Sequence, residues 1–282
     1  MRLIRFDEKN SEKPGVFLNG KRLDCSYYFD DWNQRFFNEG RIRELQELIS
    51  EKGSGLPVIP DNARWASCVA RPGMIICVGL NYTDHAREAG MKLPVEPIIF
   101  MKATNTLHGP YDDVRIPRKS KKTDWEAELA LVIGRDSLYL KNEEEAESVI
   151  AGYCIMNDLS EREFQLEMGG QWVKGKSCPG FSPLGPFLVT PDEVPAPLSL
   201  TMHLSVNGEI KQNGHTGNMV FKPAYLVHYI SQFMKLEAGD VITTGTPSGV
   251  GMGFDPPHYL VPGDVVELSI EGLGSQKQRF TD

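Results

Sequence analysis

Short apolar segments, separated by turns rich in glycine and proline, run through most of this chain. The sequence has 27 Gly and 19 Pro among 282 residues, and the pairs Asn19-Gly20 and Asn207-Gly208 are strong signals for two-residue hairpin turns. Helical periodicity is confined to a few segments, and strands do not alternate with helices as in a βαβ repeat. We therefore predict an α+β fold built on a large, mostly β core.

The N-terminal part of the chain is predicted to form a small separate unit. It combines a strand over 3–6, a hairpin around Asn19-Gly20 and an amphipathic helix over 40–51. A Gly- and Pro-rich segment over 53–62 then separates this unit from the remainder. We predict two domains, a small N-terminal domain over residues 1–69 and a larger domain over residues 70–282.

The overall charge and the cysteine content exclude several classes of protein. The net charge is −8 and the pI is about 5.4, which does not suit a nucleic-acid binder or a protein attracted to anionic membranes. The longest apolar run, over 74–80, is far shorter than the roughly 20 residues of a membrane span, and we predict no signal peptide. Five widely spaced cysteines without a C-x-x-C pair argue against a disulfide framework and favour a reducing cytoplasm.

The segment TDWEAELALVIG contains the most informative pair of carboxylates. In a strand, Glu126 and Glu128 lie on the same face with Cα atoms about 6.5–7 Å apart, between apolar neighbours. Two such carboxylates repel each other, and a divalent cation bound by both would offset this repulsion. Asp158, at the end of another apolar segment, supplies a third oxygen ligand, which favours Mg²⁺ or Mn²⁺ over Zn²⁺. The alternative interpretation is a solvated strand face without a metal.

A second group of candidate residues surrounds these carboxylates in the sequence. His85 and Glu88 are three residues apart on a predicted helix over 83–89, so they share a face and could act together as a base, or form a surface ion pair. Lys102, Lys176 and Thr246 lie in turn-rich contexts, although surface exposure is the ordinary interpretation of a lysine such as Lys102. The glycine-rich segment around Thr246 lacks the spacing of a dinucleotide loop and the lysine of a P-loop.

Taken together, these segments resemble the fumarylacetoacetate hydrolase family. The resemblance covers roughly residues 70–282 and rests on the order of eight pieces, GLNYTDHAREAG, PIIFMK, TDWEAELALVIG, GYCIMNDLSEREFQ, QWVKGKS, VNGEIKQ, GDVITTGTPSGVG and PGDVVEL. Within the family, the N-terminal unit and the motifs TDWE, SERxFQ, GGQW and GKSC resemble the bacterial branch that acts on 2,4-diketo-3-deoxy-L-fuconate or L-rhamnonate. The resemblance implies a mixed β-roll catalytic domain over residues 70–282, a homodimer and a Mg²⁺ or Mn²⁺ cofactor.

The resemblance also implies roles for individual residues. The expected metal ligands are Glu126, Glu128 and Asp158. His85 and Glu88 match the family's water-activating pair, and Lys176 matches its active-site lysine. The remaining matches are to positions that contact the substrate, namely Lys102, Arg162, Gln165 and Thr246.

The implied reaction is hydrolysis of the C3–C4 bond of a 2,4-dioxo acid. The substrate would be a 2,4-diketo-3-deoxy sugar acid, and the products pyruvate and a carboxylic acid such as lactate. Three alternatives remain open at this point. The first two are an oxaloacetate decarboxylase and a hydroxy-dienedioate isomerase that use the same site. The third is a protein that binds a metal and a sugar acid without turning it over.

Overall fold

The computed structural model describes residues 1–88, 90–194 and 199–282 and is dominated by short strands. The strands are β1 (Arg2–Phe6), β2 (Lys13–Leu18), β3 (Lys21–Asp24), β4 (Ile75–Gly79), β5 (Ile98–Lys102), β6 (Leu107–His108), β7 (Val114–Arg115), β8 (Thr123–Asp124), β9 (Ala127–Ile133), β10 (Ile150–Asn157), β11 (Ser160–Glu161), β12 (Ser182–Pro183), β13 (Leu188–Val189), β14 (Thr201–Val206), β15 (Glu209–His215), β16 (Val241–Thr243), β17 (Val265–Ile270) and β18 (Gly274–Thr281). The predicted α+β class with a mostly β core is confirmed.

Helices are fewer and short. They are α1 (Gln34–Asn38), α2 (Ile42–Lys52), α3 (Thr83–Glu88), α4 (Glu143–Glu147), α5 (Val173–Lys176) and α6 (Pro223–Ser231), together with a π-helix over Glu163–Glu167. The helix predicted over 83–89 is present as α3, and Ala89 lies outside the described residues. Within the described residues, none of these helices has the length and apolar character needed to cross a bilayer.

Two β-sheets contain most of the strands. The larger has nine strands in the order β3-β2-β1-β13-β10-β9-β16-β4-β5, and the smaller has five in the order β15-β14-β17-β18-β7. Both predicted Asn-Gly hairpins are confirmed, as β2–β3 and β14–β15. Asn19 and Gly20 have φ values of 50° and 77°, the left-handed conformation that a type I′ turn requires at both central positions.

The nine-stranded sheet is covered on both faces. Along β9, Leu129 and Leu131 belong to the core that faces the five-stranded sheet, whereas Ala130 and Val132 belong to a second core on the opposite face. This second core also contains the N-terminal helices, through Phe37 and other side chains. A strand buried on both faces contains an almost continuous apolar run, which explains the composition of this segment.

The N-terminal strands β1, β2 and β3 extend the nine-stranded sheet through the pairing of β1 with β13. The N-terminal unit therefore packs on the larger domain of its own chain. Strands from both sides of the predicted boundary between residues 69 and 70 share one sheet. The division into two domains at this position stays a prediction. The five cysteines, all within the described residues, are free and buried.

We expect the shared core to make the two units unfold together. Phe37 is 1% exposed, and its Cδ2 atom lies 3.8 Å from the point that a Cβ atom would occupy on Gly239, in the larger domain. Replacing Phe37 with alanine should lower the unfolding free energy by about 3–5 kcal/mol and shift a single calorimetric transition. Phe233→Ala, at a side chain that is 66% exposed, is the control. Two separate transitions, only one of them shifted, would contradict a common core.

Candidate metal centre and active site

The three predicted carboxylates converge because of the register between two antiparallel strands. Met156 of β10 is opposite Glu128 of β9, and Asn157 is opposite Ala127. One residue further, the Asp158 amide donates to the Glu126 carbonyl at 2.9 Å, which continues the ladder just outside the strands. The C-terminal end of β10 therefore faces the N-terminal end of β9, and their acidic side chains meet there.

The carboxylates of Glu126, Glu128 and Asp158 each offer an oxygen atom within 4.8 Å of the others. All three residues are buried, with exposed fractions of 6%, 2% and 0%. Such a concentration of negative charge away from water is unfavourable unless cations balance it. The structure thus brings together the residues that the sequence predicts as metal ligands.

Three basic side chains surround this carboxylate triad (Glu126, Glu128 and Asp158). The Lys176 ammonium donates to Glu126 Oε2 at 2.7 Å and to Asp158 Oδ2 at 2.8 Å. Lys102 Nζ lies 2.5 Å from Asp158 Oδ1, and Arg162 Nη2 lies 2.8 Å from Glu126 Oε1. Burial alone would raise the pKa of Glu126, but Lys176 and Arg162 outweigh burial and hold that pKa well below its usual range.

Glu128 is the member of the triad that these cations leave unbalanced. Its Oε2 accepts a hydrogen bond from the Gly245 amide at 2.8 Å, and none of the ion pairs found among the described residues includes it. Burial, together with the charges of Asp158 and Glu126, raises the pKa of Glu128 well above its usual value. A hard dication bound by these oxygens would balance the negative charge of Glu128, so the donor set fits Mg²⁺ or Mn²⁺.

Lys176 is held at the triad by the last turn of α5. Gly175 allows this helix to pack closely, since a Cβ atom there would lie 2.3 Å from the Glu161 carbonyl oxygen and 2.6 Å from the Gln165 amide. Burial opposes the charged ammonium, yet Asp158 and Glu126 raise the pKa of Lys176. The ammonium also lies 5.1 Å from the centre of the Phe100 ring, a favourable cation–π distance.

His85 and Glu88 form the pair that their spacing predicts. His85 Nδ1 lies 3.1 Å from Glu88 Oε2, and Glu88 Oε1 accepts a hydrogen bond from the Gly249 amide at 2.8 Å. His85 is 9% exposed, so the pair is not a surface ion pair. Because the glycine-rich loop holds Glu88 and Glu88 holds one ring nitrogen of His85, the second ring nitrogen has a defined direction.

A single cavity of about 160 Å³ contains most of these groups. Seven of the predicted site residues line it: His85, Glu126, Glu128, Arg162, Gln165, Lys176 and Thr246. Arg162 immediately precedes the π-helix and Gln165 is its third residue, and Arg162 Nη1 donates to Gln165 Oε1 at 3.0 Å. Single π-helical turns occur frequently at functional sites because they redirect side chains.

Two of the predicted substrate contacts have other partners. Lys102 does not line the cavity, because its ammonium is bound to Asp158 Oδ1 and to the Leu159 carbonyl, at 2.5 and 3.0 Å. The structure places Lys102 behind the triad, where it balances charge. The Thr246 hydroxyl lines the cavity but already donates to the Ala127 carbonyl, at 2.9 Å. It also accepts a hydrogen bond from Gln212 Nε2, at 2.8 Å.

Asp124 is a residue beside the cavity that the sequence reasoning did not single out. Its carboxylate accepts hydrogen bonds from Arg162 Nε and from the amides of Gly251 and Met252, at 2.8, 2.6 and 3.0 Å. It therefore connects the glycine-rich loop to Arg162 at the cavity. The available signal was its place beside Glu126 in TDWE, but its partners are distant in sequence and only the fold brings them together.

Comparison with known proteins identifies the family of the domain that contains this site. Residues 74–281 match the fumarylacetoacetate (FAA) hydrolase C-terminal family. This chain belongs to the fumarylacetoacetate hydrolase family. The match includes every residue of the triad and both residues of the His85–Glu88 pair. Solved structures similar to this chain include hydrolases and isomerases of the family, and the predicted family and fold are confirmed.

Three relatives illustrate the similarity over the full length of the chain. A Burkholderia multivorans protein, named a hydrolase without a stated substrate, is 48% identical over 99% of this chain and 98% of its own. A fumarylacetoacetate hydrolase structure from psychrophilic Exiguobacterium antarcticum is 34% identical, with a TM-score of 0.83, over 100% of this chain and 99% of its own. The maleylpyruvate hydrolase of Sphingobium sp. SYK-6, in complex with manganese(II) and pyruvate, is 27% identical with a TM-score of 0.82 and the same coverage.

Proposed function

We propose that this protein is a metal-dependent hydrolase that cleaves the C3–C4 bond of a 2,4-dioxo acid. The finer form of the proposal is a 2,4-diketo-3-deoxy sugar acid as substrate, with pyruvate and an acid such as lactate as products. The observation that carries the proposal is a carboxylate triad, two members of which (Glu126 and Glu128) line one cavity together with the oriented His85. The manganese and pyruvate bound by the Sphingobium relative support it.

Glu126, Glu128 and Asp158 would hold a Mg²⁺ or Mn²⁺ ion. Bound there, the ion supplies Lewis-acid polarisation of the oxygens of a keto acid. Lys176 and Arg162 offset part of the negative charge of the triad, so an anionic substrate can approach it. The buried position of all these groups strengthens their electrostatic effect, since little water screens it.

In the proposed reaction, His85 takes a proton from water, and Glu88 orients the imidazole and stabilises its positive charge. The hydroxide adds to the C4 carbonyl, and Lys176 stabilises the negative charge that develops in the cavity. The C3–C4 bond then breaks, and its electron pair remains on C3 as the enolate of pyruvate. Return of the proton from His85 to C3 gives pyruvate, while the C4 fragment leaves as a carboxylic acid.

The proposal is tested by a panel of 2,4-dioxo acids with Mg²⁺ or Mn²⁺, read by pyruvate release. We expect turnover of at least one acid, and loss of that turnover after treatment with EDTA followed by recovery when the metal is returned. Absence of pyruvate release from every acid, with either metal, would refute the hydrolase. Metal-dependent isomerisation of a hydroxy-dienedioate is the second candidate, supported by the isomerases among the solved relatives, and it is followed in the same assay by absorbance.

We also propose that the protein forms a homodimer and acts in the cytoplasm, on the basis of the family resemblance and the free cysteines. Light scattering on the purified protein tests the first of these proposals. A mass close to the 31.5 kDa of one chain would contradict it.

A further inference from the structure

The active-site cavity is polar at its floor and apolar at its rim. The floor consists of buried side chains with charged or polar ends, among them Glu126, Lys176 and Arg162, which are at most 6% exposed. The rim consists of partly exposed apolar side chains: Met91, Leu166, Trp172 and Met252. Met91 is 54% exposed and Leu166 is 43% exposed, so these side chains face both the cavity and the solvent.

The basic groups of the cavity all lie at its floor. Among the described residues that line it, these are His85, Arg162 and Lys176. Arg162 and Lys176 are already engaged by Asp124, by Glu126 or by Asp158. No lysine or arginine of the described lining belongs to the rim. The nearby Lys174 is exposed, and its ammonium binds the carbonyl oxygen of Met168.

This distribution separates two kinds of substrate tail. When the charged end of a dioxo acid binds at the floor, its carbon chain beyond C4 extends towards the rim. A methyl group there buries apolar surface against methionine, leucine and tryptophan, which is favourable. A second carboxylate there would lose water without gaining a counter-charge, which is unfavourable. The net charge of −8 adds a further penalty for a dianion relative to a monoanion.

We infer that the substrate is a monocarboxylate whose chain beyond C4 is uncharged and ends in an apolar group, and that Leu166 and Met252 select for this tail. The inference rests on the proposed function and narrows its substrate class. It admits 6-deoxy sugar acids, which end in a methyl group, and excludes dioxo acids that carry a second carboxylate at the far end.

A pair of substrates of matched shape tests the inference. The tails of 2,4-dioxo-7-methyloctanoate and 2,4-dioxoheptanedioate have the same length and branching, and they differ in an isopropyl group against a carboxylate. We expect kcat/KM for the neutral tail to exceed that for the charged tail by at least about tenfold, with 2,4-dioxopentanoate as the reference substrate. Equal or faster cleavage of the dianion would overturn the inference, as would cleavage of the reference without cleavage of the neutral long acid.

Variants of the rim provide the second arm of the experiment. Leu166→Arg adds a cation at a half-exposed position and should shift the ratio of kcat/KM values by about tenfold towards the dianion. Val173→Arg is the matched control, because Val173 is 47% exposed on the adjacent helix and does not line the cavity. Val173→Arg should change the ratio of kcat/KM values by less than about twofold, since a screened surface charge interacts only weakly with a substrate in the cavity.

The outcomes separate failure of this inference from failure of the proposed function. If no dioxo acid releases pyruvate, the hydrolase proposal is wrong. If the acids are cleaved but Leu166→Arg leaves the ratio unchanged, the rim does not select the tail, and the inference is wrong while the hydrolase stands. Circular dichroism tests whether each variant is folded. The ratio of kcat/KM values for the two tails in the wild-type protein does not depend on the variants.

Discussion

Replacing Glu128 with glutamine should lower kcat/KM for the dioxo acid by roughly a factor of 10³, because a bound metal contributes several kcal/mol to catalysis. The same change should make the metal-free protein more stable. Glu128 is the buried carboxylate of the triad without an ion-pair partner among the described residues, and its ionisation is opposed by burial and by Asp158 and Glu126. Glutamine keeps the shape and an oxygen that can accept from the Gly245 amide, but it removes the charge.

The sign of the pH effect follows from the raised pKa of Glu128. Since the folded protein holds this proton more tightly than the unfolded chain, the contribution of Glu128 to stability is complete below its ordinary pKa range. That contribution is lost as the pH rises through the raised value. The stability advantage of Glu128→Gln in EDTA should therefore grow as the pH rises. Glu126, whose pKa is lowered, contributes a constant stability above its ordinary pKa range and loses it only as the pH falls, so it should not obscure this trend.

Pyruvate release measures the loss of kcat/KM, and thermal unfolding in EDTA and in Mg²⁺ measures the change in stability. The wild-type protein should gain stability from Mg²⁺ by mass action, whereas Glu128→Gln should gain little. Glu267→Gln, an exchange of the same chemistry on the exposed side of β17, is the control and should behave as the wild type. A Glu128→Gln protein that is less stable than the wild type in EDTA would show that burial and the neighbouring carboxylates do not make ionised Glu128 destabilising.

The residues of this site were more predictable from the sequence than the way in which the fold supports them. The alternation around Glu126 and Glu128 predicts one strand over 125–133, but the structure has β8 end at Asp124 and β9 begin at Ala127. The interruption depends on Asn157, whose side-chain oxygen accepts from the Glu126 amide at 3.2 Å. A side chain from another strand cannot be identified by local periodicity.

The same limit applies to the basic residues around the triad. Lys176 is predicted in a turn and lies in the last turn of α5, and Lys102 lies behind the cavity. Both placements depend on contacts between distant segments, namely the pairing of β4 with β5 for Lys102 and the ion pair with Glu126, 50 residues away, for Lys176. The spacing of His85 and Glu88, in contrast, is local to one helix, and the structure reproduces it directly.

Replacing His85 with alanine should lower kcat for hydrolysis of the dioxo acid by roughly 10²- to 10⁴-fold, the usual contribution of a general base. Alanine is a good helix former, so α3 should persist. The carboxylate triad remains intact, and the stabilisation of the protein by Mg²⁺ should therefore equal that of the wild type. This retained metal response distinguishes the loss of a base from the loss of the metal site that Glu128→Gln causes.

Three further measurements make the assignment of His85 specific. Added imidazole should restore part of the activity of His85→Ala, because it can enter the space left by the side chain and accept the proton from water. Decarboxylation of oxaloacetate, which needs no attack by water, should be little affected in the variant if the wild type catalyses it. His203→Ala, at an exposed residue of β14, is the control and should retain full activity. Hydrolysis at the wild-type rate by His85→Ala would show that another group activates the water, and Glu88, held by the Gly249 amide, would then be the nearest carboxylate to test.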